Sequence, residues 1–443
     1  MLLTIEKMIY GGDGLAHLPA DEQGRGKAVF VPFVLPGEKI EASLTEQKPG
    51  FARAHAEAIL EPSPHRVEPG CPFFGRCGGC HYQHANYEHQ LEIKKEILRE
   101  TLRRTAKLDL AVEIQVHPSP PWNYRNRSRL NVRTEPEFEA GYFKMASHEL
   151  LSVEQCPISS PLINQGIAAL WRSGRQGKVP PGVDEVEFFV NADDTQLLVE
   201  ISAKPDSRRA TLREWAEDFG ASRAEIVGVV VSREQKGFTR ERILTVGTDH
   251  VVYQTARAAY RVSAGSFFQT NRHLTEELVK IVTDGQSGEL AVDLYAGVGL
   301  FSTVLCDIRH IVSVESSQTS TGDLSYNLAS NGEAVRATTE QYLSGSAKKR
   351  RAGKGAVLPH PVVRPDLAVV DPPRGGLGAR VARMLVTLGA SRVVYVSCDP
   401  VTLARDLVVL LAGGYRIEQV HLVDLFPQTF HLETVVHLSL NRL

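Results

Sequence analysis

VDLYAGVGLFS, residues 292–302, decides the fold. An apolar run ends at Asp293 and Leu294 and gives way to a turn bearing Gly297 and Gly299. Glycines there let the backbone pass close to a ligand, which in an open α/β sheet lies beyond the carboxyl ends of the strands. Working outward, LAVDL (290–294), HIVSVE (310–315), LAVVD (367–371) and RVVYVS (392–397) have the continuous hydrophobicity of parallel strands covered on both faces. Helical text, as in HLTEELVKIVTD and ARVARMLVTLG, lies around and between them, and FSTVLCDI reads as the helix after the glycine turn, with Cys306 in its core. The alternation predicts a doubly wound, Rossmann-like α/β domain. A G-x-G turn alone is a weak signal, and two carboxylates sharpen it. Glu315 ends the second strand, where it can take both hydroxyls of a ribose, and Asp293 ends the first, near a cationic or amine-bearing ligand. Ser302 stands where the dinucleotide fingerprint has a third glycine, which favours S-adenosylmethionine over NAD.

Three further segments carry reactive groups. In DPPRGGL (371–377) the prolines stiffen the turn and hold Asp371 at a strand tip. In YVSCDPVTLARDL (395–407), Cys398 sits between a strand and a helix, where a helix N-terminus is expected to lower its pKa toward thiolate. In FPQTFHLETVVHLSL (426–440), Glu433 lies among apolar residues that raise a carboxylate's pKa, as a general base near neutral pH requires. Nucleophile, cofactor and base together suit methylation of a pyrimidine C5. That carbon is a poor nucleophile until a thiolate adds at C6.

The rest of the chain reads as two more units. Residues 1–60 are β-rich and punctuated by Gly11, Gly12 and Gly14. Residues 61–255 are α+β: a cysteine-rich stretch, an amphipathic helix marked by Leu91, Ile97, Leu98 and Leu102, then strand-like text at 185–203 and 225–234. Residues 256–443 form the α/β domain, with an exposed basic insertion at 344–360. The 443 residues carry a net charge of −2, which argues against a non-specific polyanion binder, although arginines cluster at 125, 127, 129 and 133. No apolar run of about 18 residues suggests a membrane span, and the N-terminus lacks the three regions of a secretory signal. Cytoplasm and a monomer are the expectation. Of six cysteines, Cys71, Cys77, Cys80 and Cys156 (C-x5-C-x2-C and a distant fourth) suit metal ligation, and on spacing alone zinc competes equally with iron–sulfur.

SFFQTN (266–271), VDLYAGVGLFS, VDPPRGGL, SCDPVTLARDL and FPQTFHLE stand in the order found in the RNA uracil-C5 methyltransferases, and the chain closely resembles that family end to end. The resemblance implies that Cys398 is the nucleophile and Glu433 the proton-abstracting base. It implies that Gln269, Tyr295, Glu315 and Asp371 line the cofactor site, with Leu300 and Thr338 at two further cofactor positions. It also implies that the first unit is a TRAM domain, an oligonucleotide-binding-type β-barrel, and that the four cysteines hold a [4Fe-4S] cluster. The strand PWNYRNRSRLNVR (121–133) would then lie beside the RNA, its arginines on phosphates and Trp122 or Tyr124 on a splayed base. The implied substrate is a uridine flipped from an RNA loop, in 23S rRNA by preference. A tRNA target, another methylated atom and a non-catalytic RNA-binding protein are the alternatives.

Overall fold

The computed structural model describes residues 1–19, 26–235, 239–345 and 364–441, so nearly all of the basic insertion lies outside the described residues. Short alternating strands open the chain: β1 (Leu2–Thr4), β2 (Lys7–Met8), β3 (Asp13–His17), β4 (Ala28–Pro32), β5 (Lys39–Gln47) and β6 (Phe51–Glu61). They form one sheet in the order β1-β5-β6-β4-β3-β2. Just past β1, the Glu6 amide donates to the Leu15 carbonyl at 2.8 Å, so the sheet curls until its two sides meet. Leu3, Ile5, Val29, Val31, Ile40 and Ala52 fill the inside. A Cβ on Gly14 would come within 2.5 Å of Val34 and 2.9 Å of Ile5, so the closure needs glycine there.

After the cysteine-bearing segment come α1 (Tyr87–Ala106), capped by the Asn86 side chain, and β7 (Ile114–His117). The middle of the chain is a seven-stranded sheet of β8 (Arg127–Arg133), β9 (Glu139–Phe143), β10 (Leu150–Ser152), β11 (Val183–Val190), β12 (Leu197–Ala203), β13 (Ile226–Gln235) and β14 (Thr239–Gly247). Its order is β10-β9-β8-β11-β12-β13-β14. Helices α2 (Pro161–Arg175) and α3 (Arg209–Ala221) cover it through Leu170, Trp171, Leu212, Trp215 and Phe219.

A hairpin, β15 (His250–Gln254) and β16 (Ala259–Ser263), leads into the α/β part. There follow α4 (Thr275–Thr283), β17 (Gly288–Leu294), β18 (Ile308–Glu315), α5 (Gln318–Asn327), β19 (Gly332–Arg336) and α6 (Thr339–Leu343). The chain ends with β20 (Leu367–Val370), α7 (Gly378–Leu388), β21 (Arg392–Ser397), α8 (Pro400–Ala412), β22 (Tyr415–Val423) and β23 (Glu433–Leu440). The sheet runs β19-β18-β17-β20-β21-β23-β22-β7, with β23 antiparallel to both neighbours. Strand order reverses between β17 and β20, the topological switch point at which doubly wound sheets bind ligands.

Three features depart from the sequence reading. β7 pairs in parallel with β22, and α1 buries Ile93, Ile97, Leu98 and Leu102 against the same sheet, so this part of the 61–255 stretch lies with the C-terminal sheet. FSTVLCDI is no α-helix. The connection at 295–307 must hold the whole glycine turn and has room for one 3-10 turn, Ser302–Val304. Cys306 follows that turn and is exposed, not core. Among the described residues no helix is long and apolar enough to cross a membrane.

Candidate active site

Register brings the site together. Tyr295, Glu315, Asp371 and Cys398 stand at or just past the carboxyl ends of β17, β18, β20 and β21, and Thr338 lies two residues past β19. Because β23 is reversed, Ser397 pairs with Thr434, which sets Glu433, the first residue of β23, opposite Cys398. These six residues, with Gln269 from the SFFQTN segment, line one cleft of 810 Å³. Leu300 is not among them. Its side chain packs in the core with Phe301, Val298 and Tyr260, and its carbonyl accepts from the Tyr260 hydroxyl at 3.0 Å.

The cofactor end of the cleft is fixed by backbone contacts. Glu315 accepts from the Gly297 amide at 3.0 Å and the Ser317 amide at 2.6 Å, so its carboxylate is held over the glycine turn. Gly297 has φ +56°, and a Cβ built on it meets nothing within 4 Å: the backbone there faces open space. Tyr295 adopts φ +66°, a strained conformation for a non-glycine residue and one that recurs at functional sites. Thr338 caps α6 through a reciprocal pair with Gln341. A carboxylate held over an open glycine turn and the cleft volume fit S-adenosylmethionine.

The inner end of the cleft gathers buried carboxyls around Cys398. The Gln269 amide donates to Asp371 at 3.3 Å, and Gln269 and Glu433 are 5% and 3% exposed. Burial, then the charge of Asp371, holds Glu433 well above the ordinary carboxylate range. Burial, then Asp293, raises Asp371, and burial pushes Asp293 up to about 7. Cys398 is driven the same way: burial first, then Glu433 and Asp371, push its thiol up to about 12, with Arg374 opposing. This corrects the expectation of a lowered thiol. The first amides of α8, at Val401 and Thr402, are occupied by the Asp399 side chain at 3.0 and 2.9 Å, and so are turned away from sulfur.

The sequence reading missed Tyr10, which the N-terminal sheet carries to the loop that bears Cys398. Its hydroxyl donates to the other oxygen of Asp399 at 3.1 Å, and its ring stands edge-on to Phe430 at 5.5 Å. The only signal was an aromatic residue beside a glycine pair. Arg374, His431 and Phe267 also line the cleft, and Phe267 is 62% exposed at its rim.

Within residues 121–133 the stacking role read into Tyr124 is corrected, whereas the Arg129 and Arg133 side chains are 45% and 55% exposed. Tyr124 is fully buried and donates to the Pro427 carbonyl at 3.1 Å. Arg127 lies 4.2 Å from the Phe189 ring centre and pairs with Glu187, Arg129 pairs with Glu187 and Glu185, and Arg133 pairs with Glu139. Arg125 points at the cysteines. Cys71, Cys77, Cys80 and Cys156 line a separate cavity of 320 Å³ with Arg125, Gln83 and Tyr142. The Cys71 amide donates to Gln83 at 3.1 Å and the Cys156 amide to Asn164 at 2.8 Å. Among the described residues no group of three or more His, Cys, Asp or Glu is arranged to hold one metal ion.

An eight-stranded sheet of this order, with its cleft at the switch point, is a methyltransferase fold. Residues 86–441 match the tRNA (Uracil-5-)-methyltransferase family and residues 1–56 match the TRAM domain. An uncharacterized RNA methyltransferase of Aquifex aeolicus is 32% identical, over 99% of this chain and 98% of its own. One from Streptomyces avermitilis is 33% identical, over 99% and 97%. The solved structure of Pyrococcus abyssi tRNA (uracil-54, C5)-methyltransferase in complex with S-adenosyl-L-homocysteine superposes with a TM-score of 0.72 at 24% identity, covering 99% of this chain and 100% of that one. This chain therefore belongs to the uracil-5 RNA methyltransferase family and carries an N-terminal TRAM domain.

Proposed function

We propose that this protein methylates C5 of a uridine in RNA, with Cys398 as nucleophile and Glu433 as base. One observation carries the reading: the reversed strand β23 sets a buried carboxyl opposite a cysteine at the inner end of a cofactor-sized cleft. Glu315 and the Gly297 turn would hold the ribose end of S-adenosylmethionine, with Tyr295, Thr338 and Asp371 along its length. When bound, the cofactor supplies an electrophilic methyl group and the positive charge of its sulfonium. Cys398, its proton released to solvent, adds as the thiolate to C6 of the base, and the electron pair of the C5–C6 double bond moves toward O4, so that C5 becomes nucleophilic. After C5 is methylated, Glu433 removes its remaining proton. The pair from that C–H bond reforms the C5–C6 double bond and expels the Cys398 thiolate.

The electrostatics support this order of events. In the ligand-free cleft both Cys398 and Glu433 keep their protons, because burial and neighbouring carboxyls disfavour charge. A cation in the cleft favours ionisation of both. The thiol is thereby shielded from adventitious chemistry until the cleft is loaded. Glu433 is so enclosed that a base reaches it only unstacked, which supports a uridine flipped from a loop. The exposed ring of Phe267 offers a stacking surface at the mouth.

With zinc as the alternative, the four cysteines that line one cavity are read as the ligands of a [4Fe-4S] cluster. Its presence beside a TRAM domain favours 23S rRNA as the substrate, with tRNA as the alternative.

The test is anaerobically purified protein with labelled S-adenosylmethionine and total RNA from cells lacking uracil-C5 methyltransferases, read by nucleoside mass spectrometry. Cys398→Ala runs in parallel. The expected result is 5-methyluridine from the wild type alone, with the label mapping to 23S rRNA. Label in tRNA would select the alternative, and no 5-methyluridine would sink the reading.

A further inference from the structure

Arg125 is a charge that meets no carboxylate among the described residues. Arg127, Arg129 and Arg133, its neighbours along the chain, each have a carboxylate partner. Arg125 lines the cysteine cavity, its Nε is buried without a hydrogen-bond partner, and the ionisable groups acting on it most are Tyr124, Tyr142, Cys156 and Cys80. A guanidinium does not give up its proton inside a protein. Half-burying one without a counter-charge carries a desolvation cost. Neutral thiols, or two disulfides, supply nothing to offset that cost. A metal group carried by four thiolates is a net anion and does.

We propose that Arg125 is the counter-cation of the group held by Cys71, Cys77, Cys80 and Cys156, retaining it and favouring its more reduced, more negative state. This rests on the iron–sulfur reading above. Backbone contacts give the assignment a second consequence. The Arg125 amide donates to the Ile158 carbonyl at 2.9 Å and the Ser160 amide donates back to Arg125 at 2.9 Å, which ties it to the segment after Cys156. The next residue, Asn126, donates from its amide to Thr270 at 3.0 Å and from its side chain to the Gln269 carbonyl at 2.8 Å. The segment around Arg125 is thus clamped between the cysteine site and the loop that presents Gln269 to the cleft.

The experiment compares wild type, Arg125→Lys, Arg125→Gln and Arg125→Met, all purified anaerobically as full chains. Iron and acid-labile sulfide per chain, the rate of iron loss to a chelator, and the midpoint potential by EPR-monitored titration are measured, with circular dichroism to confirm folding. Removing the cation should lower the potential by about 59 mV, a tenfold change in the one-electron equilibrium. It should also speed iron loss about tenfold, while Arg125→Lys stays near wild type. If Arg125→Met does not fold, the Lys and Gln pair decides by the same measures. A wild type that binds iron and sulfide, with neutral variants matching it in potential and iron loss, overturns the role of Arg125 alone. A wild type that binds neither overturns the cluster and this inference together.

Discussion

The cleft and the cysteine cavity are mirror images in charge. In the cleft, Asp293, Asp371 and Glu433 are buried carboxyls whose negative forms lack a compensating cation. In the cavity, Arg125 is a cation with no carboxylate partner among the described residues. Elsewhere the fold answers its buried charges internally: Lys94 meets Asp424 at 2.6 Å with both side chains fully covered, and Glu38 meets Arg66. The contrast teaches that an unanswered buried charge marks where a ligand of opposite sign belongs. The two sites also differ in how they are held. Strand register fixes the cleft, whereas turns and side-chain contacts fix the cysteines, and turns tolerate rearrangement around what they bind.

The largest effect should come from the cleft. Cys398→Ala should reduce methyl transfer by about 10⁴-fold or more, since the nucleophile acts as a unit with its partners. Glu433→Gln should lose about 10²–10⁴-fold while RNA stays covalently attached to Cys398, visible as a slow-migrating band on a denaturing gel. A Glu433→Gln protein that turns over normally would break the assignment of the base.

The internally compensated pair gives the next largest effect, on stability. Lys94 Nζ also donates to the Phe426 carbonyl at 2.9 Å, behind the cleft wall. Lys94→Met leaves the buried Asp424 without its cation and with the Tyr87 hydroxyl as its remaining side-chain partner, and should cost about 3–5 kcal/mol, read as a lower urea midpoint. If the variant is as stable as wild type, the distinction between compensated and uncompensated charges loses its force.

The uncompensated carboxyls predict a pH dependence. Asp371 is raised from 3.8 to about 7, so between these values the folded protein keeps a proton that the unfolded chain has lost. Unfolding free energy therefore falls as pH rises through that window. A cation in the cleft favours the ionised form, so the affinity for S-adenosylmethionine relative to the uncharged S-adenosylhomocysteine should grow as pH approaches 7. The limit is about tenfold per pH unit for one proton. Calorimetric titration of both ligands, with Asp371→Asn flattening the ratio, checks it. A ratio independent of pH in wild type would mean that no carboxyl near the sulfonium titrates.

Much of this was legible in the sequence, because each motif ends an apolar run and strand ends are where such sheets bind ligands. What was illegible follows from physics that a single run does not carry. An apolar stretch has no sign of direction, so the reversal of β23 that aims Glu433 at Cys398 was hidden. β7 is four residues long and joins a sheet built mostly by residues beyond 288. Alternating arginines at 125–133 define one strand face, but not that Glu185 and Glu187 on β11 pair with Arg127 and Arg129. The glycine turn showed where the backbone opens and did not show that Leu300 turns inward.

Tyr10 offers the smallest and most pointed test, because it joins the N-terminal sheet to the catalytic loop. Its hydroxyl keeps its proton, being raised by burial and then by the nearby Asp399, and so acts as a donor. Donation to one oxygen of Asp399 leaves the other on the amides of α8 and disperses a negative charge one residue from Cys398. Tyr10→Phe removes that single bond, worth about 1 kcal/mol, and concentrates charge beside the thiol. Alkylation of Cys398 by iodoacetamide should therefore slow about fivefold at fixed pH, with the pH profile displaced upward. A Tyr10→Phe protein that melts earlier but alkylates with an unchanged profile would reduce Tyr10 to packing. A displaced profile at unchanged stability would show that the N-terminal sheet tunes the thiol through Asp399, so that the charge balance of the cleft extends beyond the residues that line it.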